Sequence, residues 1–249
     1  MSAKIHVYAI IALVALGLLV LFSASSSSSS NGSNSSSSNH KLGSGGRIIY
    51  DPDAPTYALP AQALVSSSIP FSNHSTDLPF QSYLQQTLNF AHFKDLFDNI
   101  NATVGTLQSR GEAHITVVTP TEFDRVLKPA GVTIGEIEAI AMQGDIQKAR
   151  LAPVCLGRFA GELPNPVNDA DAGRFLLYSL VVADIYNDLA NIRREVFKLY
   201  RSKGGQGVLF QPEGFWPHVT IGFDRRDLFI EDGLYKGSNY CYAPIRVTR

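Results

Sequence analysis

GEAHITVVTP at residues 111–120 and FWPHVTIGFDRRDLF at residues 215–229 carry the same unit, His114-Ile115-Thr116-Val117 and His218-Val219-Thr220-Ile221. Both units are rich in β-branched residues, and Gly111 and Pro120 bound the first of them, which reads as a strand. Side chains alternate across a strand, so His114 and Thr116 share one face while Ile115 and Val117 share the other. The second unit repeats this arrangement with His218 and Thr220. Each strand therefore buries an aliphatic pair and presents an imidazole beside a hydroxyl on its open face.

Two imidazoles and two hydroxyls suit phosphodiester chemistry. One neutral imidazole can take a proton from an attacking water or hydroxyl while the other, protonated, donates to the leaving oxygen. The hydroxyls of Thr116 and Thr220 can hold the non-bridging phosphate oxygens and stabilise charge in the transition state. This scheme needs neither metal nor other cofactor, and no Cys/His spacing of a metal site occurs in the chain.

Working outward, residues 79–100 place Leu84, Leu88, Phe93, Phe97 and Ile100 on one helical stripe. Thr119, Pro120 and Glu122 form a cap signature for a short helix, and Thr133 caps a second around residues 134–142. Strand-like runs follow at 149–159 and 174–183. Residues 184–201 then give a helix with Ile185, Leu189, Ile192, Val196 and Leu199 inward, ending at Gly204-Gly205. PHVTIGF (217–223) and a last strand near 240–247 complete the order. The connection from 159 to 174 is too short for a crossover helix, so the pattern indicates an α+β fold with largely antiparallel sheets.

The paired His-x-Thr units, about a hundred residues apart, resemble those of the 2H (two-histidine) phosphoesterase superfamily. That superfamily includes RNA 2′,3′-cyclic phosphodiesterases and 2′-5′ RNA ligase-like proteins, and the longer motif stretches are most similar to fungal members. The resemblance covers roughly residues 80–249. It implies a bilobed fold with one motif strand in each lobe, two antiparallel sheets with flanking helices, and a shared central cleft. It also implies His114 and His218 as the catalytic pair and a small nucleotide or RNA-end phosphodiester as substrate. A 2′-5′ RNA ligase-like activity and a non-catalytic nucleotide-binding module are the alternatives.

Residues 1–24 contain an uncharged apolar run, 7–22, after Lys4, and read as a signal anchor or a signal peptide. Phe22 makes the following cleavage site poor, which favours a retained single-pass type II anchor with the remainder lumenal or extracellular; secretion is the alternative. Residues 25–77 form a Ser/Asn/Gly-rich stalk and a Pro-rich, loosely packed lead-in, so the folded domain is expected over 78–249. Sequons at Asn31, Asn34, Asn73 and Asn101 fit the secretory route. Cys155 and Cys241 read equally as a disulfide or as two buried thiols. A net charge of -1 argues against tracking of duplex nucleic acid, and no obligate protein partner is implied.

Phe215 and Trp216 read as a hydrophobic cap or as a base-stacking pair beside the second motif. Arg225 and Arg226 read as phosphate contacts or a solvated helix start, and Lys236 and Tyr242 as cleft residues. The pair Arg193-Arg194 reads as the wet face of its helix. His6, His40, His74 and His92 read as bystanders.

Overall fold

The alternation of the first motif is realised in strand β3, Ala113–Val118, where Ala113, Ile115 and Val117 are buried and His114 and Thr116 face the opening. Strand β6, His218–Phe223, repeats it with Val219 and Ile221 buried. The computed structural model describes residues 48–249 apart from Asn165 and Val167. The anchor-like segment, the serine stalk and the sequons at Asn31 and Asn34 lie outside the described residues. Among the described residues, no helix is long and apolar enough to cross a membrane.

Strand β3 pairs antiparallel with β2, Leu84–Leu88. Strand β6 lies at one edge of a four-stranded antiparallel sheet ordered β6-β5-β4-β7, with β5 at Arg174–Asp184, β4 at Leu151–Glu162 and β7 at Cys241–Ala243. A third pair is parallel, β1 at Tyr57–Pro60 with β8 at Ile245–Thr248. Four helices, α1 Ala91–Val104, α2 Pro120–Glu122, α3 Ile134–Gln143 and α4 Asp188–Ser202, complete these α+β elements.

Both expected caps are present. Thr119 Oγ1 accepts from Glu122 N at 3.1 Å while Glu122 Oε2 accepts from Thr119 N at 2.9 Å, and Thr133 and Glu136 form the same reciprocal box.

Four expectations require correction. Residues 84–88 are a strand, not the first turns of a helix. Leu84 and Leu88 are four apart, a spacing that fits both a helical turn and the two-residue period of a strand. The residue that breaks the tie is Gln86, which is fully buried and donates from Nε2 to Ser66 Oγ at 2.8 Å; a buried polar residue hides the strand alternation. Next, the lead-in is not loose. Leu59 and Ala63 belong to the main core and β1 pairs with the C-terminal strand, so packing begins well before Leu78.

Third, α4 begins at Asp188, because Asp184 ends β5 and its carboxylate accepts from Asp188 N at 2.8 Å and Ala190 N at 2.9 Å; Ile185 is thereby left exposed. Finally, Arg193 is not on the wet face. It continues the inward stripe Leu189, Ile192, Val196, Tyr200 and is buried, whereas Arg194 faces out and pairs with Glu213 at 2.7 Å.

The two cysteines are bonded, with Cα atoms 5.6 Å apart, and join β4 to β7. The last strands, and with them the segment carrying Lys236, are thereby tied to the centre of the four-stranded sheet.

Candidate functional site

The motif strands are brought side by side by a backbone bridge. Gln108, just ahead of β3, donates to Phe223 O at 2.7 Å and accepts from Phe223 N at 3.0 Å at the end of β6. Close approach of α1 secures the same end: a Cβ on Gly222 would sit 3.1 Å from the Phe97 ring. The open faces of β3 and β6 then line one cleft of about 780 Å³, which holds His114, Thr116, His218 and Thr220 together. That volume accommodates a nucleotide-sized ligand.

The two imidazoles are held differently. His218 Nδ1 lies 2.8 Å from the Trp216 carbonyl, so this nitrogen carries the hydrogen and Nε2 is left to accept or, when protonated, to donate. His114 Nδ1 has no hydrogen-bond partner among the described residues; it lies 3.5 Å from the Glu112 carboxylate. Burial is the main force on both, and it holds each below the ordinary imidazole value. The Lys236 ammonium pushes His218 further down, and Arg110 does the same to His114 against the opposing pull of Glu112. Both rings are therefore neutral near pH 7.

The two threonines also differ. Thr220 Oγ1 accepts from Lys236 Nζ at 3.1 Å and donates to Asp227 Oδ2 at 3.3 Å. Lys236 also donates to Asp227 Oδ1 at 2.9 Å, and Arg110 lies 2.8 Å from Asp227 Oδ2. Burial pushes the Asp227 carboxyl up, but Lys236 and Arg110 outweigh it and hold the group below the usual carboxylate range. The Thr116 hydroxyl makes no such bond among the described residues and is open to a ligand.

Arg193 holds both motif segments from behind. Its guanidinium donates to Val117 O at 2.6 Å, to Gln211 O at 2.9 Å and to Pro212 O at 2.9 Å, and pairs with Glu122 at 2.8 Å. It thus links the end of β3, the cap of α2 and the turn that leads to His218. Phe215 stands against this guanidinium, 5.4 Å from ring centre, and packs on the core. Trp216 sits at the cleft mouth, with its ring 4.6 Å from that of Tyr235 in an edge-on arrangement. Only glycine fits beside it, since a Cβ on Gly237 would lie 2.6 Å from the indole.

Several sequence assignments change here. His74 is no bystander: it lines the cleft and stacks on Tyr83 at 4.6 Å, and Tyr83 in turn lies 6.1 Å from the His114 ring. His92 lies in α1 away from the cleft lining, and His6 and His40 fall outside the described residues. Arg225 and Arg226 start no helix. Arg225 donates to Ala170 O and Ala172 O, and Arg226 pairs with Asp171 and Asp232, so both brace the loop around residues 169–172.

Tyr242 is not in the cleft; it packs under the Arg158 guanidinium at 3.7 Å. Lys236 is in the cleft, and with Asp227, Arg110 and Tyr83 it forms the part of the site that the motifs did not disclose. Asp227 sits inside the second motif stretch, but nothing local marks its partnership with a lysine nine residues on.

Among the described residues, no three His, Cys, Asp or Glu side chains cluster in a way that could hold a metal ion. A family model described as the Swiss Army Knife, 2H phosphoesterase domain, matches residues 82–229. No curated protein and no solved structure matches the chain significantly.

Proposed function

Because the chain belongs to the 2H phosphoesterase family, we propose that His114 and His218 act as its acid–base pair in metal-independent hydrolysis of RNA-type phosphodiesters, a 2′,3′-cyclic phosphate being the smallest. The observation that carries this reading is the pair of His-x-Thr strands sharing one cleft, each with its imidazole and hydroxyl on the open face.

In the proposed reaction one neutral imidazole takes a proton from water as its oxygen bonds to phosphorus. The other imidazole, protonated, donates to the sugar oxygen as its bond to phosphorus breaks. One proton is taken and one given, so the pair ends with its roles exchanged. Thr116 donates to a non-bridging oxygen, and Thr220 does so when its hydroxyl hydrogen turns from Asp227 to the substrate, its oxygen still accepting from Lys236. Burial keeps both imidazoles neutral near pH 7, so the acid must gain its proton with the substrate. The phosphate anion favours this, because a negative charge at contact distance raises an imidazole's pKa. The test is to incubate the protein with cyclic and linear nucleotide esters in the presence of a chelator and identify the products. Opening of the cyclic ester to a single monoester is expected, and turnover that requires added metal overturns the reading.

The domain is further proposed to lie in the lumen or outside the cell, tethered by its N-terminal segment, a placement supported by the Cys155–Cys241 bond. Asn73 is exposed, whereas the Asn101 side chain accepts from Leu107 N at 2.9 Å and is occupied in ending α1. Expression in a eukaryotic secretory host should give a glycosidase-sensitive shift that Asn73→Gln reduces and Asn101→Gln leaves unchanged. A cytosolic protein with no shift contradicts the placement.

A further inference from the structure

Phe80 stands at the mouth of the same cleft, on the wall that carries His114, and the residue is 47% exposed. Its backbone has φ 56°, the left-handed region that a bulky side chain rarely adopts. Asp124 holds it there by accepting a hydrogen bond from Phe80 N. The next residue, Arg125, sets its guanidinium 5.3 Å from the centre of the Phe80 ring and also lines the cleft. Asp124 and Arg125 sit on a π-helical turn, Phe123–Leu127, a rare geometry that often accompanies functional sites. Among the described residues Arg125 makes no hydrogen bond or ion pair, while its neighbour Asp124 is occupied by Phe80 N and Lys128. An exposed ring is thus fixed against a cation with no anionic partner of its own. Nothing in the packing of the core requires this pair.

The opposite wall, which carries His218, has its own aromatic station in Trp216 and Tyr235. A mononucleoside cyclic phosphate has one base and can use one station. Aromatic faces that stack bases, combined with arginines that meet phosphates, are the recurring means of holding single-stranded nucleic acid. We infer that Phe80 and Arg125 form a second nucleotide subsite, so that the substrate is a single-stranded chain of two or more nucleotides whose terminal ester lies at the histidine pair. The terminal nucleoside lies against Trp216 and Tyr235, the preceding base stacks on Phe80, and the connecting phosphate meets Arg125. This inference rests on the reading of the histidine pair given above.

The test compares a mononucleoside 2′,3′-cyclic phosphate with a trinucleotide ending in the same group, so that the reacting atoms are identical. The wild-type protein should favour the trinucleotide in kcat/KM by about tenfold or more. Phe80→Gly removes the ring and relieves the left-handed backbone, so its Tm should be unchanged or higher. Its loss on the trinucleotide should exceed its loss on the mononucleotide by about tenfold, and Arg125→Gln should act in the same direction. Equal rates on the two substrates, or equal losses in the variants, overturn the subsite.

Binding of a trinucleotide ending in a 3′-phosphate separates this inference from the catalytic reading. Weakened binding in Phe80→Gly, in a protein that turns over neither ester, supports the subsite and removes the catalytic role. Absence of both binding and turnover overturns both.

Discussion

Replacing His114 or His218 by alanine should each lower kcat by about 10²–10⁴-fold, the usual contribution of a positioned proton donor or acceptor. The two losses should not add, because an acid without its base leaves the same bond uncleaved. Folding should survive both changes, since each imidazole lies on the open face of its strand while the aliphatic neighbours fill the core. The threonines provide an internal control. Thr116→Val removes a free hydroxyl and should cost rate without stability. Thr220→Val also takes one buried hydrogen bond each from Lys236 and Asp227, so it should cost both. Equal melting temperatures for the two threonine variants would refute the asymmetry. Steady-state kinetics on one ester, together with thermal melts, decide all four variants.

The second large effect lies beneath the cleft. Asp227→Asn should destabilise the fold by about 3–5 kcal/mol, because it leaves the buried Lys236 ammonium without its carboxylate partner. Lys236→Met should cost less, since Asp227 keeps Arg110 at 2.8 Å. The double variant should recover much of the Asp227→Asn loss, as removal of both members of a buried pair commonly does. Denaturant unfolding of the three proteins measures this. A double variant as unstable as the sum of the singles would mean that the two side chains do not act as a pair. Each single variant removes one of the two groups that orient the Thr220 hydroxyl and the double variant removes both, so kcat should fall in all three, in the double variant even where stability is recovered.

The parts of this molecule that were legible in sequence are those governed by local periodicity. The alternation of His114 to Val117 and His218 to Ile221 survives into the structure because β-branched residues fill every second position. The boxes at Thr119 and Thr133 are visible because each is closed within four consecutive residues. What was not legible depends on distant residues. Leu84 and Leu88 fit helix and strand equally, and only the remote partner Ser66 explains a buried Gln86. Arg193 looked solvated because arginine usually is, yet carbonyls from two separate segments and Glu122 satisfy it in the core. Lys236 carries no motif, and its role follows from pairings with Asp227 and Thr220 made only when the segment ahead of the last strands, which the disulfide ties to β4, folds back to the end of β6.

The most direct test of the central claim is the pH dependence of kcat/KM and kcat, measured side by side on one non-titrating phosphodiester with excess chelator present. kcat/KM reports the free protein, in which burial holds both imidazoles below about 6.5. Its bell should therefore peak on the acid side, and the rate should fall as pH rises through neutrality and the acid loses its proton. kcat reports the complex, where the bound phosphate anion raises the imidazole that must stay protonated, so its maximum should lie at higher pH. Both profiles should be indifferent to the chelator. A kcat/KM that rises through neutral pH to an alkaline plateau, or that vanishes when metal is withheld, would contradict the account.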